Sequence, residues 1–386
     1  MNVRLAEMLK CLIQLHFPKV YFKIILVASP FLLLLKSGKM ILSGRQAYWK
    51  LQVDAGEKFL NSSWKPRNSV ENPLRLPLET IKEIAFPSIK DFAQFNPSIR
   101  LDHDLMTVAW RISNNIMNPL TNDHGEAISP LSGFESGVGI GQLQLNTSAE
   151  RISITNSSIV IHYLNELRPA HHRIVDRFGR RIEFDDPRYL SEDSNLILLH
   201  GRHVPHSRDP SVPNFSLFLY DVLKDSISPI NFPASGKYEK NWVPIPQPRE
   251  SHQFLRSTFP LSLVRLDKNS LIAEEEILLP ASGPAFHNGS NLISLDKDLL
   301  IRVVRLRVHV ANLRAIHISH LVIHDKSLKK QKISKPFIFK GFGYEICNSI
   351  AVSGDKVFFA WGENDERSFL GWISTLRLRD WISENS

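Results

Sequence analysis

The sequence has only two cysteines among its 386 residues, Cys11 and Cys347. Two cysteines exclude a disulfide framework and a cysteine-based zinc site. Fifteen histidines are present, and two groups are close enough in sequence to share a metal ion: His171 and His172, and His200, His203 and His206. Because no third-ligand motif accompanies either group, we predict no metal site and no cofactor.

The chain also lacks an apolar run of ordinary membrane-spanning length. The uncharged run Ile24 to Leu35 has twelve residues, whereas roughly 17 to 25 are usual for a span. Four basic residues precede it: Arg4, Lys10, Lys19 and Lys23. This order is typical of a signal sequence or a short signal anchor, and a buried core helix is the alternative. We expect residues 1–43 to direct the protein to the secretory pathway or to anchor it in a membrane, with the rest lumenal or exported.

Motifs for nucleic-acid recognition are missing too, although the formal net charge is +8. The basic residues are dispersed, and we find no recognition helix, zinc finger or ribonucleoprotein-type motif, so we do not predict a nucleic-acid partner. A small anionic ligand, an acidic glycan or a membrane surface explains the excess charge as well. Five NxS/T sequons fit a glycosylated lumenal protein, but such sequons often occur by chance; they lie at Asn61, Asn146, Asn156, Asn214 and Asn288.

Long helical periods are scarce, and short β-type runs take their place. The hydrophobic fraction of 43% and charged fraction of 22% are those of a folded globular protein. From residue 95 onward, runs rich in β-branched and aromatic residues recur between turn residues, among them LMTVAWRIS, NLILLHG, FSLFLYDV, LLIRVVRLRVHV and KVFFAWG. Such runs predict an all-β domain: a pair of sandwiches, a barrel or a propeller. Residues 44–94 mix prolines with helical-looking pieces such as LETIKEIA, and we interpret them as a stem.

The stretch FDDPRYLSEDSNLILLHGR, residues 184–202, places two acids, a proline and an arginine ahead of an apolar run. Asp185, Asp186 and Pro187 are ordinary turn residues, so they are consistent with a simple chain reversal before a strand. Arg188 and Arg202 then lie at the two ends of one short strand unit. Either they are solvated, or they point into a binding site.

Similar turn motifs recur along the chain and favour the propeller. NPSI, DDPR, KNWVPI, HNGSNLI and the pair SKPFIFKG and GYEI each precede or interrupt a group of strands. Their spacing is compatible with blades of roughly 40 to 50 residues that carry insertions. Loops of this kind meet at one end of a propeller's central channel, which would gather Arg188, Lys240 and Asp365 into one polar pocket.

Taken in order, these motifs resemble those of the five-bladed β-propellers related to mannoside phosphorylases and of the β-mannosyltransferases that share this propeller. DDPR is similar to the EDPR signature of that family, KNWVPI to its lysine-bearing motif, and WGENDERSFLGWI to its terminal strand and turn. HNGSNLI followed by LLIRVVR has the form of the penultimate blade. The resemblance implies a five-bladed β-propeller over residues 95–386, after the hydrophobic segment and the stem.

The resemblance also implies an anion site. Arg188 and Lys240 fall where the phosphorylases hold phosphate, and an arginine fork with a lysine charge suits an anionic group. Arg202 is a plausible third cation. Asn241 follows Lys240 where a carboxylate is common, and Arg305 stands where relatives often have histidine, so both depart from the phosphate-binding pattern while remaining candidates for the anion site.

For contacts with a sugar, and for catalysis, the resemblance points to three acids. Asp365 falls on an acid that contacts the sugar, Asp186 is placed to accept sugar hydroxyls or to orient Arg188, and Glu345 in GYEI is either a ligand contact or a buried structural residue. The general acid of the relatives lies upstream of EDPR, where this chain offers only Glu150. Two tryptophans, Trp242 and Trp361, are candidates for stacking on sugar rings.

The leading functional hypothesis is glycosyl transfer on a mannoside-like glycan, by a glycosyltransferase, a glycoside phosphorylase or a hydrolase. Its partners would be a carbohydrate and either phosphate or a sugar-phosphate donor, whose departing charge the basic groups would stabilise. The alternative from a different class is a propeller that binds glycans without catalysis.

Overall fold

The structure is a computed structural model, and it describes residues 73–87, 93–102, 105–113, 136–144, 151–155, 176–190, 195–204, 207, 209, 211–233, 241–246, 251–280, 283–308, 316–341, 344–365 and 367–386. The predicted all-β class is confirmed, because β-strands make up most of these residues. The targeting segment lies outside them. No helix in the described ranges is both long and apolar enough to cross a membrane.

The first two strands in the described ranges belong to sheets formed by later parts of the chain. The two strands are β1 (Leu74–Arg75) and β2 (Thr80–Ala85). The helical interpretation of LETIKEIA is therefore wrong. Strand β2 is antiparallel to β23 (Arg367–Ser374) near the C-terminus, and this pairing outweighs the local preference of Glu, Lys and Ala for helix. Part of the predicted stem thus lies within the sheets.

An eight-stranded sheet combines early and late strands of the described chain. It contains β3 (Ala93–Asp102), β4 (Leu105–Ser113), β5 (Ser136–Gln144), β6 (Arg151–Thr155), β21 (Glu345–Ser353) and β22 (Lys356–Glu363), together with β2 and β23. The order is β21-β22-β23-β2-β6-β5-β4-β3. All neighbours are antiparallel except β2 and β6. The parallel pair therefore divides the sheet into two four-stranded antiparallel units.

Two further sheets are simple four-stranded antiparallel units. One contains β7 (Arg181–Tyr189), β8 (Leu196–Val204), β9 (Phe215–Asp221) and β10 (Ser226–Pro229). The other contains β11 (Val243–Pro244), β12 (His252–Thr258), β13 (Leu261–Leu266) and β14 (Ala273–Leu279). In each, the strands pair in chain order. Hairpin connections between consecutive strands produce this order.

The last sheet is built around one long hairpin, β17 (Leu299–Val308) with β18 (Ile316–Asp325). Short strands flank it: β15 (His287–Asn288), β16 (Ile293–Ser294), β19 (Gln331–Ile333) and β20 (Phe337–Ile338). Strand β1 joins this sheet in parallel with β20. One helix, α1 (Thr375–Asn385), follows β23 and buries Leu378, Trp381 and Ile382. The sequence interpretation did not include this helix.

Strand β4 explains why the strands have nearly continuous apolar runs. Its even-numbered residues Met106, Val108 and Trp110 join one buried cluster, whereas Ala109 joins a second cluster with the neighbouring sheet. Alternate side chains of a strand point to opposite faces, so β4 is buried between two layers. Because a Cβ at Gly139 would lie 2.4 Å from the Trp110 ring, only glycine fits opposite this indole. Successive four-stranded units packed in this way form a propeller-type fold.

Candidate functional site

Three of the strands that lead their units carry a β-bulge near the start. In β3 the register shifts between Phe95 and Ser98, and in β7 it shifts between Asp185 and Arg188. Strand β21 has the same irregularity around Asn348. DDPR is thus part of a strand rather than a turn ahead of one, which corrects the sequence interpretation. Proline has no N–H to donate to a neighbouring strand, and it is compatible with a bulge because the ladder hydrogen bonds are interrupted there.

Polar residues in this part of each four-stranded unit form a ring of hydrogen bonds between neighbouring units. On one side, Asn348 donates its Nδ2 hydrogen to the Asn96 carbonyl at 3.0 Å, and Asn96 donates to Asp186 Oδ1 at 2.8 Å. On the other side, the Asn241 amide donates to His200 Nε2 at 3.1 Å, and Asn288 donates to the Asn241 carbonyl at 2.9 Å.

The ring closes where Asn291 meets β21. Its side chain accepts a hydrogen bond from the Ile350 amide at 2.8 Å and donates to the Ile350 carbonyl at 3.0 Å. Asn96, Asp186 and Asn241 all have positive φ angles. Among residues other than glycine, Asn and Asp tolerate this backbone conformation best, which accounts for their recurrence at these positions.

Asp185 and Asp186 project into the polar seam between β4 and β7. Arg111 Nη2 lies 2.7 Å from Asp185 Oδ1, and its Nη1 lies 3.8 Å from Asp186 Oδ1. Arg202 also contacts Asp185, at 3.0 Å. Burial alone would raise the pKa of Asp186, but the charge of Arg111, with smaller contributions including the Asn96 hydrogen bond, lowers it to about 2. Asp186 is therefore an ionised carboxylate at neutral pH.

Arg188 is the most unusual residue of this region. Its side chain is fully buried, and within the described part of the chain none of its three guanidinium nitrogens has a hydrogen-bond partner. Two nitrogens of the buried Arg305 side chain, Nε and Nη1, are likewise without a partner. Burial lowers the pKa of Arg188 to about 10; the nearby charge of Arg305 also lowers it, and Asp186 opposes both effects. Buried guanidinium donors destabilise the fold unless a partner accepts their hydrogen bonds, so an oxyanion is the matching ligand.

The structure brings together four residues that the sequence predicted for the site. Asp186, Arg188 and Arg305 interact through their charges, and Asn241 is linked to them through His200, whose imidazole also affects the pKa of Asp186. Asp365 belongs to the same region, because its carboxylate acts on Arg111. It also occupies the positive-φ turn between β22 and β23.

Glu345 has a structural position. Its two carboxylate oxygens accept hydrogen bonds from the amides of Phe339, Lys340 and Gly341 at 2.8, 2.9 and 3.1 Å. Burial raises the pKa of Glu345 to about 7, despite these three bonds. Of the two roles that the sequence left open, its contacts fit the buried structural residue.

The predicted stacking of tryptophans on sugar is wrong for both candidates. Trp242 is 0% exposed and packs between Phe232 and Phe254 at centroid distances of 5.1 and 5.5 Å. Trp361 is equally buried and stacks on Phe339 at 4.8 Å. Both indoles contribute their large apolar surface to the core instead, so no sugar ring reaches them.

Several predicted residues lie outside the described ranges. These are Lys240, Glu150 and the histidines His171, His172 and His206. Of the remaining histidines in those groups, His203 contacts Asp176 and Ser216, at 2.9 Å each. Across the described ranges, no group of three side chains could hold a metal ion. The sequons at Asn214 and Asn288 are buried, at 1% and 4% exposure, and are not accessible for glycosylation in the folded protein.

Sequence reasoning missed Arg111 and, apart from Asn241, the asparagines of the ring. A signal for part of the ring was present, because Asn96–Pro97 and Asp186–Pro187 repeat one dipeptide pattern at the starts of two units. No comparable signal marks Arg111, which lies in the middle of the apolar run LMTVAWRIS. Its partners come from a strand that begins 70 residues later, at Arg181.

No protein-family model and no curated protein matches the sequence. Among solved structures, a hypothetical protein from Leishmania major has a TM-score of 0.50 at 11% identity, over 77% of this chain and 90% of that one. A β-1,2-mannobiose phosphorylase from Listeria innocua has a TM-score of 0.49 at 11% identity, over 79% and 99%. A mannose phosphorylase from Leishmania mexicana, solved with phosphate, has a TM-score of 0.47 at 10% identity, over 78% and 90%. The likeness to the Leishmania major structure shows a shared fold, and the predicted resemblance is confirmed at that level alone.

Proposed function

We propose that this protein is a carbohydrate-active five-bladed propeller whose central site holds the anionic group of its substrate during glycosyl transfer. The observation that carries the proposal is the fully buried Arg188 guanidinium without a hydrogen-bond partner. A protein tolerates such a group chiefly where binding requires it, because an unsatisfied buried charge destabilises the fold.

Five blades account for the sheets and for the ring of polar contacts. The parallel β2–β6 pair splits the eight-stranded sheet into two units, and the other three sheets each supply one. The inter-unit bonds from Asn348 round to Asn291 and Ile350 pass through all five units and return to the first. In this arrangement β2 completes the last blade, so the two ends of the propeller close on each other.

The chemistry of the site suits phosphate or a sugar-phosphate donor. Arg188 and Arg305 offer five nitrogens without partners for oxyanion oxygens, and fixed donors stabilise charge as it develops on a leaving group. The ionised Asp186 accepts hydrogen bonds from sugar hydroxyls on the same side. The solved mannoside phosphorylases favour a mannoside as the sugar.

A propeller that binds glycans without catalysis is the second candidate. Glycosyl transfer requires a carboxyl group that can donate a proton. Asp186 is ionised at neutral pH, and Glu345 uses both oxygens to hold backbone amides. These two acids therefore supply no free proton donor to the site.

The decisive experiment titrates purified residues 44–386 with phosphate, mannose 1-phosphate and β-1,2-mannobiose by calorimetry, and assays each combination for turnover. We expect binding of the phosphate-bearing ligands and loss of that binding in Arg188→Met. Turnover would establish glycosyl transfer, whereas glycan binding without turnover would favour the second candidate. If neither phosphate nor mannose 1-phosphate binds to the wild-type protein, the anion site is refuted.

We also propose that the propeller is lumenal or exported, with residues 1–43 as the targeting segment. The basic residues ahead of Ile24 to Leu35 support this orientation. Protease protection of the propeller in intact microsomes is the expected result. Complete digestion without detergent would contradict it.

A further inference from the structure

We propose that Arg111 is a positioning residue that holds Asp186 away from the Arg188 guanidinium and so keeps the anion site open. The inference rests on the proposed function, because it concerns the same site. It adds a residue on β4, a strand of a different unit, and this residue contacts the acids of the DDPR stretch rather than the anion.

Arg111 connects two units through almost every polar group it has. Its two terminal nitrogens face Asp185 and Asp186, and its Nε donates to Ser136 Oγ at 3.2 Å. Ser136 in turn donates to the Phe184 carbonyl at 2.7 Å. The guanidinium also lies over the Phe95 ring, 5.1 Å from the centroid. Arg111 is thus fixed from both sides, and the two acids are fixed with it.

The two acids depend on Arg111 to different degrees. Asp185 has a second cation, Arg202, at 3.0 Å. Among the described residues, Asp186 has two side-chain contacts within hydrogen-bond or ion-pair distance: the neutral Asn96 side chain, at 2.8 Å, and Arg111, at 3.8 Å. Loss of Arg111 would therefore leave the charge of Asp186 with much weaker compensation than that of Asp185.

The titratable groups that act on Asp186 lie on three neighbouring strands and on its own strand. Arg111 lies on β4, His200 on β8, Arg305 on β17, and Arg188 on the same strand as Asp186; the neutral Asn96 side chain contacts it from β3. Without Arg111, the arginines whose charges still act on Asp186 are Arg188 and Arg305 of the anion site. An oppositely charged pair in a buried site attracts strongly, so Asp186 would pair with Arg188 and occupy the donors that a ligand needs.

The test uses sulfate as the probe, because its charge does not change between pH 4.5 and 8.5. The variants are Arg111→Gln, Arg111→Lys and the double variant Arg111→Gln/Asp186→Asn, with Arg180→Gln as the matched control. Arg180 and Asp176 form an equally buried ion pair just before β7, at 2.7 Å and with side-chain exposures of 10% and 9%. The corresponding values for Arg111 and Asp185 are 10% and 7%.

We expect wild-type sulfate affinity to vary little with pH, since Asp186 remains ionised throughout. In Arg111→Gln, sulfate affinity at pH 8 should fall about tenfold or more. This is the loss expected when Arg188 pairs with Asp186 and no longer donates a charged hydrogen bond to sulfate. The affinity should recover only at a pH low enough to protonate Asp186. Arg111→Lys should restore part of the loss, and the double variant should bind at all pH values. Arg180→Gln should lower stability but leave sulfate affinity and its pH profile unchanged.

A second measurement does not depend on binding. Carboxyl ¹³C NMR, assigned with Asp186→Asn, should give a higher pKa for Asp186 in Arg111→Gln than in wild type or Arg180→Gln. The proposal fails if Arg111→Gln loses only stability, if the double variant binds as poorly as the single one, or if the pKa of Asp186 is unchanged. Absence of sulfate binding in the wild-type protein would instead refute the anion site, while the NMR titration would still decide the role of Arg111.

Discussion

Replacement of Arg188 by Met should separate the stability of the protein from its function. A pKa of about 10 for Arg188, below that of a free arginine, means that the folded state disfavours its charge. At 1.36 kcal/mol per pKa unit, the difference corresponds to roughly 3 kcal/mol. Arg188→Met removes the charge and keeps most of the side-chain volume, so it should raise the free energy of unfolding by about 1 to 3 kcal/mol in the absence of ligand.

Arg302→Met is the control: burial lowers the pKa of Arg302 as well, to about 9, but each of its three guanidinium nitrogens has a hydrogen-bond partner, so the two variants differ in the partners they leave behind. The Arg302 guanidinium donates to His324 at 3.2 Å, Asn288 at 2.6 Å and Thr258 at 3.0 Å. Methionine would leave these three partners buried without their donor, at a cost of about 1 to 3 kcal/mol for each group left unsatisfied. Arg302→Met should therefore melt well below wild type, whereas Arg188→Met should melt at or above it.

The assay is thermal and urea denaturation in a buffer without phosphate or sulfate, repeated with added phosphate. Phosphate should stabilise the wild-type protein, by about 2.7 kcal/mol at a concentration of 100 times Kd, and should leave Arg188→Met unchanged. A melting temperature for Arg188→Met as low as that of Arg302→Met would show that Arg188 is a structural residue. An equal response of both proteins to phosphate would place the anion elsewhere.

Two further predictions test individual contacts. The folded-state pKa of Glu345, about 7, lies above its unfolded value. Protonation therefore favours the folded state, and the free energy of unfolding should fall as pH rises from about 4.5 to 7. Glu345→Gln should flatten this slope in urea titrations at pH 5 and pH 8, and an unchanged slope would assign the pH dependence to another group. Gly289→Ala should destabilise the protein by about 1 to 3 kcal/mol, because the added Cβ would lie 2.7 Å from the Val303 carbonyl oxygen and 3.0 Å from that of Cys347. Gly341→Ala, where nothing lies within 4 Å, is its control, and equal melting temperatures for the two variants would contradict a close contact between these strands.

The sequence by itself determined the fold class and many of the longer strands. Runs such as LMTVAWRIS and KVFFAWG coincide with β4 and β22, because alternation and β-branched content are local properties that one strand carries alone. The motifs also identified Asp186 and Arg188 as members of one site. LETIKEIA was misassigned because its partner strand β23 lies at the other end of the chain, where no local pattern reveals it.

Tertiary structure alone decided what each polar residue does. Trp242 and Glu345 have residue types that suit a sugar site, yet one is packed in the core and the other holds a turn. Arg188 and Arg302 are the same residue type and are equally buried. Among the described residues, the Arg188 guanidinium has no hydrogen-bond partner and the Arg302 guanidinium has three, so only their surroundings distinguish them. Whether a buried charge is satisfied depends on groups that folding brings from distant parts of the chain, and such contacts leave no trace in local sequence.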